Sequence, residues 1–281
     1  MPDFSNTDLV YLRAVLRNLA GLSLGPDKDY LFDTRLDSLC RKRNLSSGEF
    51  MQRLAAGEPE IEQDFVDFMT TQETFFFRDL KIFELLKTKI LPEIIERNRR
   101  RKRLAIWSAG CANGQEPYSI AMLISSYFPF VRDWDTTILA TDVSRTALRR
   151  AQSGSYSQNE VNRGLPVRKL LRYFRQQDDQ WKILDSVASL VDFRNESLLS
   201  PNSQGMTFDL ILCRNVLIYF DTPTKTEILK TLHRCLDPDG YLLLGGAERI
   251  FSVTEDFEPR LDGSLVYYSP SPHERTKVDA S

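Results

Sequence analysis

Four stretches of the 281-residue chain bring together side chains that could do chemistry. TTILATDVS reads as a strand ending near Asp142, where a carboxylate can accept hydrogen bonds from two ribose hydroxyls. Asp142 could equally cap the helix that follows, a task Ser144 can share. SAGCANGQEP, residues 108–117, reads as a strand-to-helix loop. Gly110 and Gly114 allow a ligand close to the backbone, and Pro117 suits a helix's first turn. Taken alone, such a loop could be purely structural. It is not the G-x-G-x-x-G fingerprint of diphosphate binders, and Asp142 lies 32 residues past Gly110, against about 20 in nicotinamide enzymes. A nucleoside cofactor without phosphates fits better, and S-adenosylmethionine is the commonest. FDLILCRNVLIYFD sets Arg214 and Asn215 inside an apolar run, which is costly unless both are hydrogen-bonded, so a site is expected there. Tyr219, further along, could equally be a core tyrosine with a satisfied hydroxyl. TTQETFFFRD, residues 70–79, places three phenylalanines in a row. Helical neighbours are about 100° apart, so the three cannot share one face; the stretch is buried all round or lines something.

Other chemistries find little support. Cys40, Cys111, Cys213 and Cys235 show no short metal-ligand spacing, and the only histidines are His233 and His273. No metal site, disulfide framework or histidine triad is expected. Lys and Arg number 37 against 39 Asp and Glu, so recognition by charge must come from local patches. RNRRRKR, residues 97–103, is the densest. It reads as the solvated end of a helix, where cations suit the dipole, with a nucleic-acid patch as the weaker alternative. No apolar run approaches the ~18 residues of a membrane span, and MPDFSNTD lacks the order of a secretion signal. A cytoplasmic protein, monomeric and without nucleic-acid partners, is expected.

Positioning these groups requires a particular order of elements. Residues 1–70 show apolar spacing of three and four, as in TDLVYLRAVLRNLAGL, and read as an all-helical domain. Residues 71–103 form a connecting segment with one helix, LKIFELLKTKILPEIIERN. From 104 to 270, strand candidates RLAIWSAG, TTILATDV, FDLILCRNVLIYF and GYLLLGGAE alternate with helices. That pattern predicts an α/β fold with a doubly wound, mostly parallel sheet. FEPRLDG and SLVYYSP, joined at Asp262-Gly263, predict a terminal antiparallel hairpin. Residues 155–192 exceed what a crossover needs and predict a small inserted β-subdomain, and 271–281 a disordered tail.

Six blocks carry a family resemblance: TTQETFFFRD, IWSAGCANGQEPYSIAM, ATDVS with AQSGSY behind it, VDFRNESLL, FDLILCRNVLIYFD and LDPDGYLLLGGAE. Their order, over residues of about 10 to 268, resembles that of chemotaxis receptor methyltransferases, the CheR family. The resemblance implies S-adenosylmethionine-dependent methylation of glutamate side chains on chemoreceptors, with S-adenosylhomocysteine as product. By position it implies that Gln72, Thr74 and Arg78 line the methionine end of the cofactor. Glu116 would lie near its amino group and Asp142 on its ribose. Ser197 and Leu198 would flank the adenine, with Asn215 and Val216 continuing that wall. Arg78 and Tyr219 would face the transferring methyl. The family usually has Asn at the positions of Gln72 and Ser197. In DYLFDTRLDSLCRKRN, Arg35, Arg41 and Lys42 can share one helical flank, which by itself could be a solvated basic helix end; with the resemblance, Arg35, Arg41 and Arg43 are expected to dock acidic receptor helices. Some members hold a receptor C-terminal pentapeptide through a glycine-containing loop; RQQDDQWKILD has no glycine, so action without that tether is expected. The alternative function is a non-catalytic adaptor that binds S-adenosylmethionine and signals through a partner.

Overall fold

The computed structural model describes residues 4–203 and 205–271, so the tail expected at 271–281 lies outside it apart from Ser271. Helices α1 (Asn6–Ala20), α2 (Tyr30–Arg43), α3 (Ser47–Ala55) and α4 (Pro59–Met69) come first. α1 buries Leu9, Leu12, Leu16 and Ala20 on one face and stops where Gly21 turns left-handed at φ 74°. The four helices share a core containing Phe32, Leu36, Phe50 and Phe65. Full burial of one such phenylalanine contributes roughly 2–3 kcal/mol.

The connecting helix is interrupted. It consists of α5 (Leu80–Leu85), a π-helical turn (Leu86–Ile90) and α6 (Leu91–Asn98). The widened turn falls where Pro92 has no N–H to donate and its ring would crowd the Thr88 carbonyl in a regular helix.

Next come β1 (Arg103–Ala109), α7 (Gln115–Tyr127), β2 (Asp135–Asp142) and α8 (Arg145–Ser153). A separate three-stranded sheet, in the order β3-β5-β4, is built from β3 (Ser155–Ser157), β4 (Phe174–Gln177) and β5 (Gln180–Ile183). It carries α9 (Gln158–Asn162) and α10 (Val167–Tyr173). Its β4–β5 turn places Asp178 at φ 50°, a conformation in which glycine would be unstrained. After α11 (Asp185–Ala188) the chain returns to the main sheet as β6 (Val191–Asn195), β7 (Phe208–Cys213), α12 (Thr222–Cys235), β8 (Leu236–Leu244), β9 (Phe257–Asp262) and β10 (Leu265–Pro270).

The seven-stranded order is β6-β2-β1-β7-β8-β10-β9. Strands β6 to β8 are parallel, and β10 and β9 are antiparallel. This is the expected doubly wound, mostly parallel sheet with its terminal antiparallel hairpin. From Leu104 to Ala109 every residue of β1 is buried; Leu104 and Ile106 enter one layer, Ala105, Trp107 and Ala109 the other. Chain order departs from β1 toward β6 and resumes on its other side at β7, so the crevice beyond the carboxyl ends of β1 and β7 is the expected ligand position.

Three differences from the sequence reading have local causes. VDFRN gives no strand signal, being short, charged and only half-buried, yet it pairs with β2 as β6. FDLILCRNVLIYF is not one long strand: β7 ends at Cys213, Asn215 takes φ 60°, and Leu217–Tyr219 forms a 3₁₀ turn. In RNRRRKR, Asn98 is buried, while Arg97 stays exposed and reaches Asp209 at 3.3 Å. Asn98 Nδ2 donates to the buried Asp209 carboxylate at 2.6 Å, which also receives the Ala105 amide at 2.8 Å.

The helical N-terminal part is tied to the sheet at several points. Asp67 accepts from the Thr146 hydroxyl at 2.6 Å and the Thr146 amide at 3.2 Å, at the start of α8. Gln63 donates to the Val143 carbonyl at 3.0 Å, and Arg17 pairs with Asp221 at 2.7 Å.

Candidate active site

A cavity of about 290 Å³ opens at the carboxyl ends of β1, β2 and β7, and the N-terminal helices form its far wall. Its first wall is the loop after β1. The Gly110 and Cys111 amides donate to the Thr141 carbonyl at 2.8 and 2.9 Å, and Gly110 adopts φ 79°. A Cβ there would stand 2.5 Å from Val216 Cγ2, so the loop and the 216 wall can close together only at a glycine.

Asp142 sits at the tip of β2, its Oδ1 receiving the Ser144 amide at 2.9 Å and its Oδ2 the Ala112 amide at 2.8 Å. Each oxygen keeps a lone-pair direction for a further donor. Burial raises the carboxyl above its ordinary pKa, and those two amides pull it back. The capping role weighed for Asp142 goes to Ser144, whose hydroxyl accepts from the Ala147 amide.

Residues 71–79 cross from α4 to α5 without regular structure, and two non-glycine residues in them are left-handed: Phe77 at φ 51° and Asp79 at φ 65°. Strain of this kind persists only where surroundings over-determine it. Phe76 is fully buried edge-on to Tyr156 and Phe174, at centroid distances of 5.0 and 5.6 Å. The Phe77 amide donates to Ser119 Oγ at 3.0 Å. Phe75 faces the cavity, with Arg78 and Arg163 over its ring. The three rings thus divide between core and pocket wall.

What fixes this segment is Arg214, a residue the sequence reading left out of its site although the polar interruption of β7 signalled one. Its side chain is 1% exposed. Nη1 donates to Glu116 at 2.9 Å; Nη2 donates to Asp79 at 2.5 Å and to the Arg78 carbonyl at 2.9 Å. Glu116 also receives Ser108 Oγ at 2.8 Å. One guanidinium therefore joins β1, α7, β7 and the strained stretch.

Every other residue expected at the cofactor lines this cavity: Gln72, Thr74 and Arg78; Ser197 and Leu198 after β6; Asn215, Val216 and Tyr219 after β7. Two are partly occupied. Gln72 Nε2 donates to Ser144 Oγ and Thr70 Oγ1, both at 3.1 Å, and Ser197 Oγ accepts the Leu199 amide at 3.3 Å. Arg35 also lines it but differs from expectation: its guanidinium turns inward, donating to the Met69 carbonyl at 2.6 Å and to Thr71 Oγ1 at 3.2 Å, and so closes the end of α4. Arg41 and Arg43 lie away from the cavity, paired with Asp37 and Asp64. Leu22, Leu24, Tyr30 and Leu31 also line it; nothing in their own spacing distinguishes them from helix-core residues.

Residues 72–262 match the family described as CheR methyltransferase, SAM binding domain. The chain belongs to the CheR methyltransferase family. It is 39% identical over 263 residues to chemotaxis protein methyltransferase Cher2 of Pseudomonas putida, covering 90% of this chain and 94% of that one. Identity to chemotaxis protein methyltransferase 1 of Pseudomonas aeruginosa is 38% over 259 residues, with the same coverage. It is 33% over 255 residues to the chemotaxis protein methyltransferase of Borreliella burgdorferi, covering 88% and 90%.

The cofactor of a CheR methyltransferase is S-adenosylmethionine, and the cavity fits it. Asp142 keeps acceptor capacity on both oxygens at the cavity wall, Gly110 lets the loop close on Val216 where any Cβ would clash, and Asn215 Oδ1 is a buried acceptor without a partner among the described residues. Among the described residues no group of three or more His, Cys, Asp or Glu side chains is placed to hold a metal ion, and no helix is long and apolar enough to cross a membrane.

Asp142→Asn should weaken S-adenosylhomocysteine binding by about 10- to 100-fold, the loss of ~1.5–3 kcal/mol expected for hydrogen bonds to a charged acceptor. Hydroxyl donors favour the ionised carboxylate. Wild-type affinity should therefore fall as pH drops through the raised Asp142 pKa, at a higher pH than an ordinary aspartate would give. Calorimetric titration across pH checks both, and the Asn variant should lack that acidic limb.

Proposed function

We propose that this chain transfers a methyl group to glutamate side-chain carboxylates of chemoreceptors, forming glutamyl methyl esters. One observation carries the reading: Arg78 and Tyr219 line the same cavity with hydrogen-bonding capacity unspent. Among the described residues Arg78 donates only to the Glu73 carbonyl, at 3.2 Å, and the Tyr219 hydroxyl makes no hydrogen bond. S-adenosylmethionine, when bound, supplies an electrophilic methyl on a sulfonium.

The chain's own part is positioning. A glutamate with pKa near 4.3 is already ionised at neutral pH, so no base has to generate the nucleophile. Arg78 orients the carboxylate through charge-assisted hydrogen bonds and Tyr219 through its hydroxyl. The apolar N-terminal wall of Leu22, Leu24 and Leu31 excludes water while opposite charges are brought together. The exposed basic end of α2, with Arg41, Lys42 and Arg43, is the face we assign to acidic receptor helices. Arg35 is committed internally and takes no part in it.

Tritiated S-adenosylmethionine with receptor cytoplasmic fragments should yield label released as methanol by base; base-stable label would refute the ester. In that assay Tyr219→Phe should lower turnover about tenfold or more, with S-adenosylhomocysteine affinity unchanged. Undiminished turnover would remove Tyr219 from the mechanism.

A further inference from the structure

A second cavity, of about 410 Å³, lies between α5, the end of α7 and α10. Phe77, Tyr127 and Tyr173 give it an aromatic lining, and Phe83 lines both cavities. Its charges are unbalanced. Lys87, Arg168, Lys169 and Arg172 face a single carboxylate, Glu84, which Lys87 already holds at 2.9 Å. Among the described residues no carboxylate lies within ion-pair distance of Arg168, Lys169 or Arg172.

Lys169 does not behave as a solvated surface lysine. Its ammonium lies 5.2 Å from the Phe77 ring centroid and 5.3 Å from that of Tyr127. It donates to Ser126 Oγ at 3.1 Å, and Ser126 Oγ meets the Tyr173 hydroxyl at 2.8 Å. Burial, then the charges of Arg172 and Lys87, push its pKa below the ordinary lysine value. A partly buried cation among like charges is unfavourable, and an anion would relieve it. Ser126 Oγ donates to the Met122 carbonyl at 2.7 Å and meets the Tyr173 hydroxyl, so the donors left for a ligand are the three cations. Three cations match the three acceptor oxygens of a phosphate dianion, and the rings suit an apolar body.

We propose that this cavity is a binding site for a small phosphomonoester with an aromatic or apolar body, separated from the methyl-transfer site by the shared wall at Phe83. The assignment is independent of the methyl acceptor. Calorimetric titration of the full chain, saturated with S-adenosylhomocysteine so that the first cavity is filled, is expected to show phenyl phosphate binding with Kd at or below about 1 mM. Inorganic phosphate should bind at least about tenfold more weakly, lacking the apolar contact. Arg168→Gln with Arg172→Gln, both exposed side chains, should weaken phenyl phosphate about tenfold or more and leave S-adenosylhomocysteine affinity unchanged; Lys169→Met should do the same. No binding by about 10 mM, or equal binding by wild type and both variants, would overturn the site, and equal affinity for inorganic phosphate would overturn the apolar body.

Discussion

Methionine in place of Arg214 is expected to lower the melting temperature by roughly 6–12 °C, because removing one partner of a buried ion pair costs about 3 kcal/mol or more and each kcal/mol moves a chain of this size by about 2–4 °C. Methionine fills similar volume but leaves Glu116 with only Ser108, and leaves the Arg78 carbonyl without its donor. Asp79 is half-exposed and can turn to water, which keeps the cost near the lower end. Arg214→Lys should recover only part of the loss, since a single ammonium cannot reach Glu116, Asp79 and the Arg78 carbonyl as a planar fork does. Scanning calorimetry decides; a fall of under about 2 °C in the Met variant would mean that the clamp carries little of the fold.

Alanine at Gly110 is expected to abolish tight cofactor binding while leaving the chain folded. The left-handed backbone costs about 1–2 kcal/mol once a Cβ is present, and that Cβ would lie 2.5 Å from Val216 Cγ2. Relief comes by moving Val216, itself part of the cavity lining. Together these should raise the S-adenosylhomocysteine Kd by about 30-fold or more. Adding Val216→Ala removes the clash but not the backbone strain, so the double variant should regain part of the affinity. A double variant no better than Gly110→Ala would place the damage elsewhere.

Much of this arrangement was legible before any coordinates. Apolar spacing of three and four separated the helical part from the strand–helix alternation that follows, and the apolar run LAIW suits a strand covered on both faces. Asp142 at the end of β2 was readable as a ribose acceptor or a helix cap, and the choice between them needed the Ser144 hydroxyl seen in place as the cap. The internal role of Arg35 was not readable. Its spacing with Arg41 suggested an outer flank, but its acceptors are carbonyls more than 30 residues away, which no helical pattern reports. β6 was missed for a related reason: an edge strand with Asp192, Arg194 and Asn195 gains its order from pairing with β2, not from its own composition. Arg214 shows the opposite case, a signal that was present but could not say which groups would be held.

The hydrogen bonds from Thr146 to Asp67 tie α4 to the first turn of α8, four residues beyond Asp142. The N-terminal helices are consequently joined to the rim of the cavity beside Asp142. Loosening α4 would therefore loosen the turn that follows Asp142, and with it one rim of the cavity.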